Sequence, residues 1–294
     1  MTNSSIFDKR ISVFMKNIPV AIVVFFSSIS LHAQYYYQDI IGTKELNQTI
    51  QLYLTNKVLS VEATGFDGDG VLNSDFSETH NFFASQNLLK ISTRNKTDTS
   101  NEYYRFNSKG LLTVLSDTSS SVVSTTTYTY DDKNNPSVIK NIVNDASDSV
   151  FVNETHQWFY NADGKPVRML RIINNNDTTD VRFTVDEKGN VAEEWPFIKK
   201  ISREKTYYYY DDKKRLTDIV RFNIKANKLL PDYMFEYSDN NQVTQKITTL
   251  SAAGVGYLIW RYAYDNKGLK TTEASFDRNK QLTGKIKYSY RFQQ

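Results

Sequence analysis

Polar and apolar residues alternate along most of the chain from residue 57 onward. In the segment Leu258–Tyr264, for example, Trp260, Tyr262 and Tyr264 share one parity, and Ile259, Arg261 and Ala263 share the other. Alternation with a period of two is typical of a β-strand with one buried face. The pattern therefore predicts an all-β protein.

The alternating segments end in a recurring motif, an aromatic or apolar anchor followed by four polar residues. The quartet often begins with Asp or Asn and ends with Gly, as in Tyr264-Asp265-Asn266-Lys267-Gly268. Asp and Asn bond to backbone groups two residues on, and Gly or Asn tolerates positive φ, so each quartet predicts a tight hairpin turn. Seven anchors recur at intervals of 24, 30, 25, 25, 27 and 27 residues: Phe106, Tyr130, Tyr160, Val185, Tyr210, Tyr237 and Tyr264.

One motif corresponds to one hairpin, so consecutive motifs predict an antiparallel meander of 14 or more strands. Open twisted sheets of that size tend to curl or split. We therefore expect a curved, spiral or partly closed sheet with the anchors on its inner face. Before the array, Thr43, Leu46, Ile50 and Tyr53 have helical spacing, which predicts a short helix near residues 43–55 that caps the open end of the sheet.

One copy of the motif, residues 210–217 (YDDKKRLT), resembles the repeat unit of the YD-repeat (RHS-type) family, Tyr-Asp-x-x-Gly-[Arg/x]-Leu-Thr, and lacks only the Gly. The resemblance covers residues 100–292 through degenerate copies. It implies an exported or surface protein with a spiralling β-sheet and a glycan- or protein-binding surface. The array is too short to close a large shell and ends inside the repeat pattern, without a core or toxin domain, so toxin delivery is not implied.

The N-terminus predicts export. Residues 18–31 form an apolar run preceded by Lys9, Arg10 and Lys16. The run is shorter than the roughly 20 residues of a membrane-spanning helix, and it is typical of a secretory signal peptide cut after Ala33. An uncleaved N-terminal anchor is the alternative.

The expected organisation is a signal peptide at 1–33 with Met15 as an alternative start, an N-terminal segment at 34–56 with the short helix, and a single β repeat domain at 57–294. We expect a mature chain that begins near Gln34 and has no membrane-spanning segment. Its predicted location is the periplasm, the cell surface or the extracellular space.

Composition narrows the chemistry. The chain has no Cys, and after residue 33 only His80 and His156 remain. A Cys/His metal site and a Cys–His nucleophile are therefore not expected. Residues 34–294 carry 33 basic and 32 acidic residues without a basic stripe, so nucleic-acid binding is not expected either.

One segment has ligands suited to calcium. Asp67, Asp69, Asn73 and Asp75 place oxygen atoms at alternate positions. Val71, however, occupies a position where a calcium loop needs a side-chain ligand, and the same residues form the polar turn of the repeat motif. A turn without metal is the favoured interpretation, and no other cofactor is expected.

Three functions remain open. The leading hypothesis is an exported, non-enzymatic binding or scaffold protein of the cell envelope whose partner is a glycan or an envelope protein. The alternative is a small outer-membrane β-barrel, suggested by the alternation of Lys285 to Phe292. A carboxylate-dependent hydrolase is the third and least favoured function. Its candidate pair, Glu193 and Glu194, is adjacent in a strand, so the two side chains face opposite sides of the sheet and cannot act on one substrate together.

Overall fold

A computed structural model describes residues 35–119, 122–145, 150–224, 226–249 and 256–294. Residues Gln34 to Gln294 form one compact unit. The predicted signal peptide, with its apolar run at 18–31 and the cleavage site after Ala33, lies outside the described residues.

One helix precedes a long series of strands. Helix α1 spans Gln38–Thr55 and begins five residues earlier than the sequence predicts. A short 3₁₀ turn, Ala84–Gln86, separates the second and third strands. The strands are β1 Val58–Asp67, β2 Leu72–Phe83, β3 Leu88–Asn95, β4 Asp98–Phe106, β5 Leu112–Ser119, β6 Val122–Tyr130, β7 Pro136–Asp145, β8 Val150–Tyr160, β9 Pro166–Ile173, β10 Asp177–Val185, β11 Val191–Ile198, β12 Ile201–Ser202, β13 Thr206–Tyr210, β14 Leu216–Asn223, β15 Lys228–Tyr237, β16 Val243–Thr249, β17 Tyr257–Tyr264, β18 Lys270–Phe276 and β19 Leu282–Phe292.

The strands close into a barrel. Each pairs antiparallel with the next along the chain, except that the two-residue β12 pairs only with β11, which also pairs with β13. The first strand, β1, pairs with the last, β19, with Val61 opposite Tyr290 and Ala63 opposite Tyr288. Without β12, eighteen of the strands in the described residues form the closed ring.

The predicted open, spiral or partly closed sheet is therefore wrong. The structure is all-β and antiparallel, but both edges of the meander satisfy their backbone N–H and C=O groups against each other. The assignment to the YD-repeat family is wrong for the same reason, because that resemblance implies a spiralling sheet. The shared motif reflects tight-turn chemistry that a closed barrel uses equally well.

Nine turns among the described residues share one geometry. Seven of them lie at one end of the barrel, which we call the turn end; the other two, residues 67–71 and 277–281, lie at the opposite end, the rim. In the turn after Tyr264, the Asp265 carboxylate accepts the backbone N–H groups of Lys267 and Leu269, both at 2.9 Å. Gly268 has φ of 82°, a left-handed conformation that glycine adopts without strain. The seven turns occupy residues 107–111, 131–135, 161–165, 186–190, 211–215, 238–242 and 265–269.

Four of the five anchor tyrosines join their hairpin to the preceding one. The Tyr264 hydroxyl donates to the carbonyl oxygen of Val243 at 2.9 Å, at the start of the strand that follows the previous turn. Matching bonds run from Tyr130 to Leu112, Tyr160 to Pro136 and Tyr237 to Leu216 at 2.6 to 2.8 Å, and the register shifts beside each of these four tyrosines. Tyr290 of the last strand, which is not an anchor, makes the same kind of bond to Lys270 at 2.8 Å.

Helix α1 lies inside the barrel near the turn end. Its 18 residues span about 27 Å. Near its start, Tyr35 packs into an apolar cluster with Trp158, Met169, Val181, Phe183, Val191, Tyr208 and Ile219. Near its end, Ile50 and Tyr53 pack into a second cluster that includes Val58, Val61, Phe82, Leu89, Tyr104, Phe106, Leu112, Leu115, Tyr128 and Ile139.

The helix therefore bridges two walls of the ring. Gln51 donates to the Lys109 carbonyl at 2.8 Å, and Asn47 accepts the Leu112 N–H at 2.8 Å, which fixes α1 beside the first of the seven turns. The prediction that this helix caps an open sheet end is wrong, because the sheet has no open end among the described strands. Its apolar residues are instead buried against the inner face of the barrel.

The hydroxyl bonds between hairpins can be tested at Tyr264. Tyr264→Phe should lower the free energy of unfolding by about 1 kcal/mol, because it leaves the Val243 carbonyl without its donor. Tyr209→Phe is the control, since Tyr209 lies on the outer wall and is 47 % exposed. Urea denaturation should find Tyr209→Phe about as stable as the wild type; equal losses in both variants would contradict the assignment.

Candidate functional site

The inner face changes character between the helix and the rim. Around α1 it is apolar and aromatic, whereas further toward the rim it carries ionisable side chains. Glu78, Glu102 and Glu194 on this face are buried, at 7 %, 6 % and 1 % exposure. We call the set the polar belt; it comprises Glu78, Glu102, Asp117, Glu154, His156, Arg171, Glu194, Arg221, Lys246 and Glu273.

The most connected part of the polar belt surrounds His156. Its Nδ1 atom lies 2.6 Å from Asp39 of α1, and its Nε2 atom lies 2.7 Å from Glu154. Arg171 donates two bonds to the Glu154 carboxylate, each at 2.8 Å, and the Trp158 indole donates to Asp39 at 3.0 Å. This network fastens the start of α1 to strands β8 and β9.

Two further contacts fasten α1 to the wall. The Glu194 carboxylate accepts the Tyr208 hydroxyl at 2.7 Å and the Tyr37 backbone N–H at 2.8 Å. At the other end of α1, the Tyr53 hydroxyl lies 2.9 Å from His80 Nδ1, and His80 Nε2 lies 2.8 Å from Glu78. Polar contacts therefore hold the helix at both ends.

Glu45 is the acidic residue of α1 that faces Lys246 and Lys270. Its carboxylate is accessible to water yet enclosed by the barrel wall. This partial dehydration raises the pKa of Glu45, and the nearby Lys246 and Lys270 ammonium groups offset the rise only in part. The helix thus contributes an ionisable group of its own to the inner space.

The bonding of the histidines limits the chemistry that the polar belt can perform. A general base needs a ring nitrogen within hydrogen-bonding reach of the substrate. Both nitrogens of His80 and both nitrogens of His156 are already engaged by a hydroxyl or a carboxylate. Glu193, the neighbour of Glu194, faces outward and binds Lys205 at 2.8 Å, so this carboxylate pair is split between the two faces.

The calcium candidates lie in the β1–β2 turn at the rim. Asp67 accepts a bond from the Asn73 amide at 2.9 Å, and Asp69 accepts the Val71 N–H at 3.0 Å. Asn73 in turn accepts the Asp75 N–H at 2.9 Å. Among the described residues, no group of three or more His, Asp or Glu side chains is arranged to hold a metal ion. Calcium binding at this turn remains a prediction.

The seven anchors lie near the turn end, away from the polar belt. Phe106 is buried and Val185 is 42 % exposed, while the five tyrosines are half-buried: Tyr130, Tyr160, Tyr210, Tyr237 and Tyr264. The sequence analysis did not single out Asp39 or Glu154, and it considered Glu194 only as one member of the Glu193–Glu194 carboxylate pair. The available signal was a carboxylate at the same strand parity as a buried aromatic residue, as with Glu154, which alternates with His156 and the buried Trp158 along β8.

The outer wall is polar. Nine charged residues point outward, because each lies directly beside a buried residue in its own strand. They are Glu62, Lys90, Arg105, Lys140, Arg168, Arg182, Asp218, Lys285 and Lys287. A barrel that spans lipid carries an apolar band about 25 Å tall on this face. The outer wall of the described strands has charges where that band would lie.

Comparisons with known proteins give weak matches to solved structures. A porin-like protein from Bacteroides uniformis is 12 % identical with a TM-score of 0.38, over 80 % of this chain and 98 % of that one. A porin-like protein from Bacteroides vulgatus is 12 % identical with a TM-score of 0.29, over the same shares. The TcdB2-TccC3-Cdc42 structure is 12 % identical with a TM-score of 0.33, over 73 % of this chain and 11 % of that one.

No family model and no curated protein matches the chain. At such TM-scores the structural matches carry no argument, and the interpretation rests on the strand pairing. The closed ring supports the alternative hypothesis, a small outer-membrane β-barrel, better than the open binding scaffold. It is also compatible with an exported protein of the cell surface. Within the described residues, no helix has the length and apolar character needed to cross a membrane.

The attachment of α1 can be tested at Asp39. Asp39→Ala removes the partner of His156 Nδ1 and of the Trp158 indole, so it should lower the free energy of unfolding by about 3 kcal/mol. Limited proteolysis should then cleave within residues 35–57 sooner than in the wild type.

Asp180→Ala is the matched control. Asp180 is also paired with a cation, Arg168 at 2.7 Å, but on the outer wall, where Arg168 is 48 % exposed. This change should cost less than about 1 kcal/mol. Equal costs for Asp39→Ala and Asp180→Ala would refute the role of Asp39 as a buried attachment.

Proposed function

We propose that this protein is a non-catalytic β-barrel of the outer membrane whose polar lumen is closed at the turn end by α1 and admits polar solutes from the rim. The observation that carries the proposal is the pairing of β1 with β19, which encloses an inner space. Eighteen strands form a ring large enough to leave an aqueous interior.

The rim half of the inner face supports a water-filled lumen. Val143, Val152 and Ile173 point inward but are only half-buried, in contrast to Ile139 and Met169 further toward the turn end. Ser124 and Thr126 of the same face are bonded to Asn141 at 2.9 and 2.7 Å. A solute entering from the rim therefore meets polar and half-exposed side chains before it reaches α1.

The outer wall favours attachment to the membrane over a wall fully surrounded by lipid. A Lys or Arg on the lipid-facing side of a barrel costs about 2 to 4 kcal/mol at the bilayer midplane. Lys140, Arg182 and Lys287 are outward-facing basic residues near the middle of their strands, and Lys90 and Arg168 are outward-facing basic residues closer to the turn end. The three central residues alone would cost about 6 to 12 kcal/mol in lipid, which is comparable with the whole stability of an ordinary domain. We infer that only part of the barrel surface contacts the outer membrane and attaches the protein to it.

A non-catalytic role is supported by the bonding within the polar belt. The carboxylates Glu78, Glu154 and Glu194 and both histidines hold α1 in place, so they are committed to structure. Glu102 accepts the Tyr104 hydroxyl at 2.9 Å on the same strand. These contacts suit a fixed, polar inner wall.

Fractionation of the native host tests the membrane assignment. The protein should sediment with outer membranes at low salt and be released by alkaline carbonate or high salt without detergent. Recovery in the soluble fraction at low salt would overturn the outer-membrane assignment. A requirement for detergent would overturn the inference from the outer wall that only part of the surface contacts lipid.

Cysteine labelling tests the lumen, because the chain has no Cys of its own. Val143→Cys should react with a small hydrophilic maleimide, since its side chain is half-exposed on the inner face. It should react much more slowly with a polymer-linked maleimide that is too large to enter. Ile139→Cys is the control, because Ile139 is 8 % exposed and should resist both reagents. Equal reaction of Val143→Cys with both reagents would mean that its face is not enclosed.

A further inference from the structure

One sector of the rim, formed by strands β11 to β15, combines exposed aliphatic side chains with lysines. Strand β11 continues beyond its pairing with β13 and folds back as β12, with Ile198 opposite Ile201. The two isoleucines are 37 % and 61 % exposed. The hairpin tip between them is Lys199-Lys200.

The two tip lysines form a tight two-residue turn. Lys199 and Lys200 have φ of 50° and 66°, and both side chains are exposed. The other pair of consecutive left-handed non-glycine residues among the described residues is Asn174 and Asn175. The hairpin tip therefore presents two ammonium groups to solvent.

A second hairpin at the same sector adds to the apolar surface. Phe222 near the end of β14 is 42 % exposed, Ile224 just after that strand is 82 % exposed, and Leu229 near the start of β15 is 43 % exposed. The two hairpins are separated by about two strand spacings of roughly 4.8 Å. Lys228, the first residue of β15, lies beside Leu229.

Aromatic side chains on the outer wall lie just below the first hairpin. The Trp195 and Phe197 rings are 4.7 Å apart, with Lys205 4.5 Å from the Trp195 ring and Arg182 4.6 Å from the Phe197 ring. Residues 198–205 carry four basic residues and one acidic residue. Tryptophan, aliphatic tips and lysines together are the side chains that contact the headgroup region of a bilayer.

We propose that these two hairpins, through residues 198–201 and through Phe222, Ile224 and Leu229, dock the barrel onto an anionic lipid surface. The isoleucines and Phe222 enter the region between headgroups and acyl chains, and Lys199 and Lys200 bind the anionic headgroups. This proposal rests on the proposed function and identifies the part of the surface that attaches to the membrane. The basic excess of residues 198–205 favours an anionic bilayer over a neutral one.

Vesicle sedimentation tests the docking directly. The full mature chain should bind vesicles of phosphatidylethanolamine and phosphatidylglycerol, and bind vesicles of phosphatidylcholine much more weakly. The double variant Lys199→Gln with Lys200→Gln should weaken binding to the anionic vesicles by roughly 30-fold, as expected for two lysines at a charged surface. Ile201→Asn should weaken binding to both kinds of vesicle.

The control carries the same change of charge at the turn end. Lys188 and Lys213 are exposed lysines of the tight turns, with ion pairs at 3.3 and 4.0 Å that involve fully exposed carboxylates. Lys188→Gln with Lys213→Gln should leave vesicle binding unchanged. An equal loss in this control would overturn the proposal in favour of non-specific attraction.

The same variants in the native host separate the two proposals. If the wild type sediments with outer membranes and the Lys199→Gln, Lys200→Gln variant does not, both proposals are supported. If both proteins sediment equally, the docking proposal fails while the outer-membrane assignment stands. If the wild type binds outer membranes but not protein-free vesicles, a membrane protein is the partner and the lipid proposal is overturned. A wild type that stays soluble would overturn the proposed function itself.

Discussion

The pairing between β1 and β19 is the contact on which the rest of the molecule depends. It joins segments more than 200 residues apart in sequence and converts a meander with two edges into a ring. An unpaired edge strand exposes a row of N–H and C=O groups that other chains can bind, and closure removes both edges at once. Closure also divides the surface into an inner and an outer face. The position of a residue in the alternation of its strand then decides whether its side chain faces the interior of the barrel or the exterior.

The inner face then has to be filled. A ring of eighteen strands is too wide for strand side chains alone to fill, and α1 occupies the part near the turn end. The helix has only a modest apolar surface, and polar contacts at Asp39, Tyr37 and Tyr53 supply the remaining attachment. Each of these contacts uses an inward-facing carboxylate or histidine of the wall. Glu78, Glu154, His156 and Glu194 of the polar belt are thus explained by the need to hold a helix inside a barrel.

Local features of the fold were predictable from sequence because their causes are local. Asp265 and Gly268 encode their turn by side-chain bonding and positive φ, and the same chemistry locates the other six turns. The closure was not predictable, because nothing in the alternation of β1 distinguishes pairing with β19 from an unpaired edge. The attachment of α1 was also missed, since Asp39 and His156 are 117 positions apart and neither stands in a recognisable motif. The charged residues of the outer wall, by contrast, follow from the sequence once the inward-facing residues of each strand are known, because the residues between them face outward.

The closure itself can be measured through engineered disulfides, because the chain has no Cys to interfere. Thr64 and Lys287 face each other across β1 and β19 and both point outward. Thr64→Cys with Lys287→Cys should form an intramolecular disulfide on mild oxidation, since paired strand residues lie within bridging distance. Thr272→Cys with Lys287→Cys joins neighbouring strands β18 and β19 and is the positive control. A closed barrel gives the crosslink in both double variants within one molecule; a crosslink in the control alone would mean that the sheet is open.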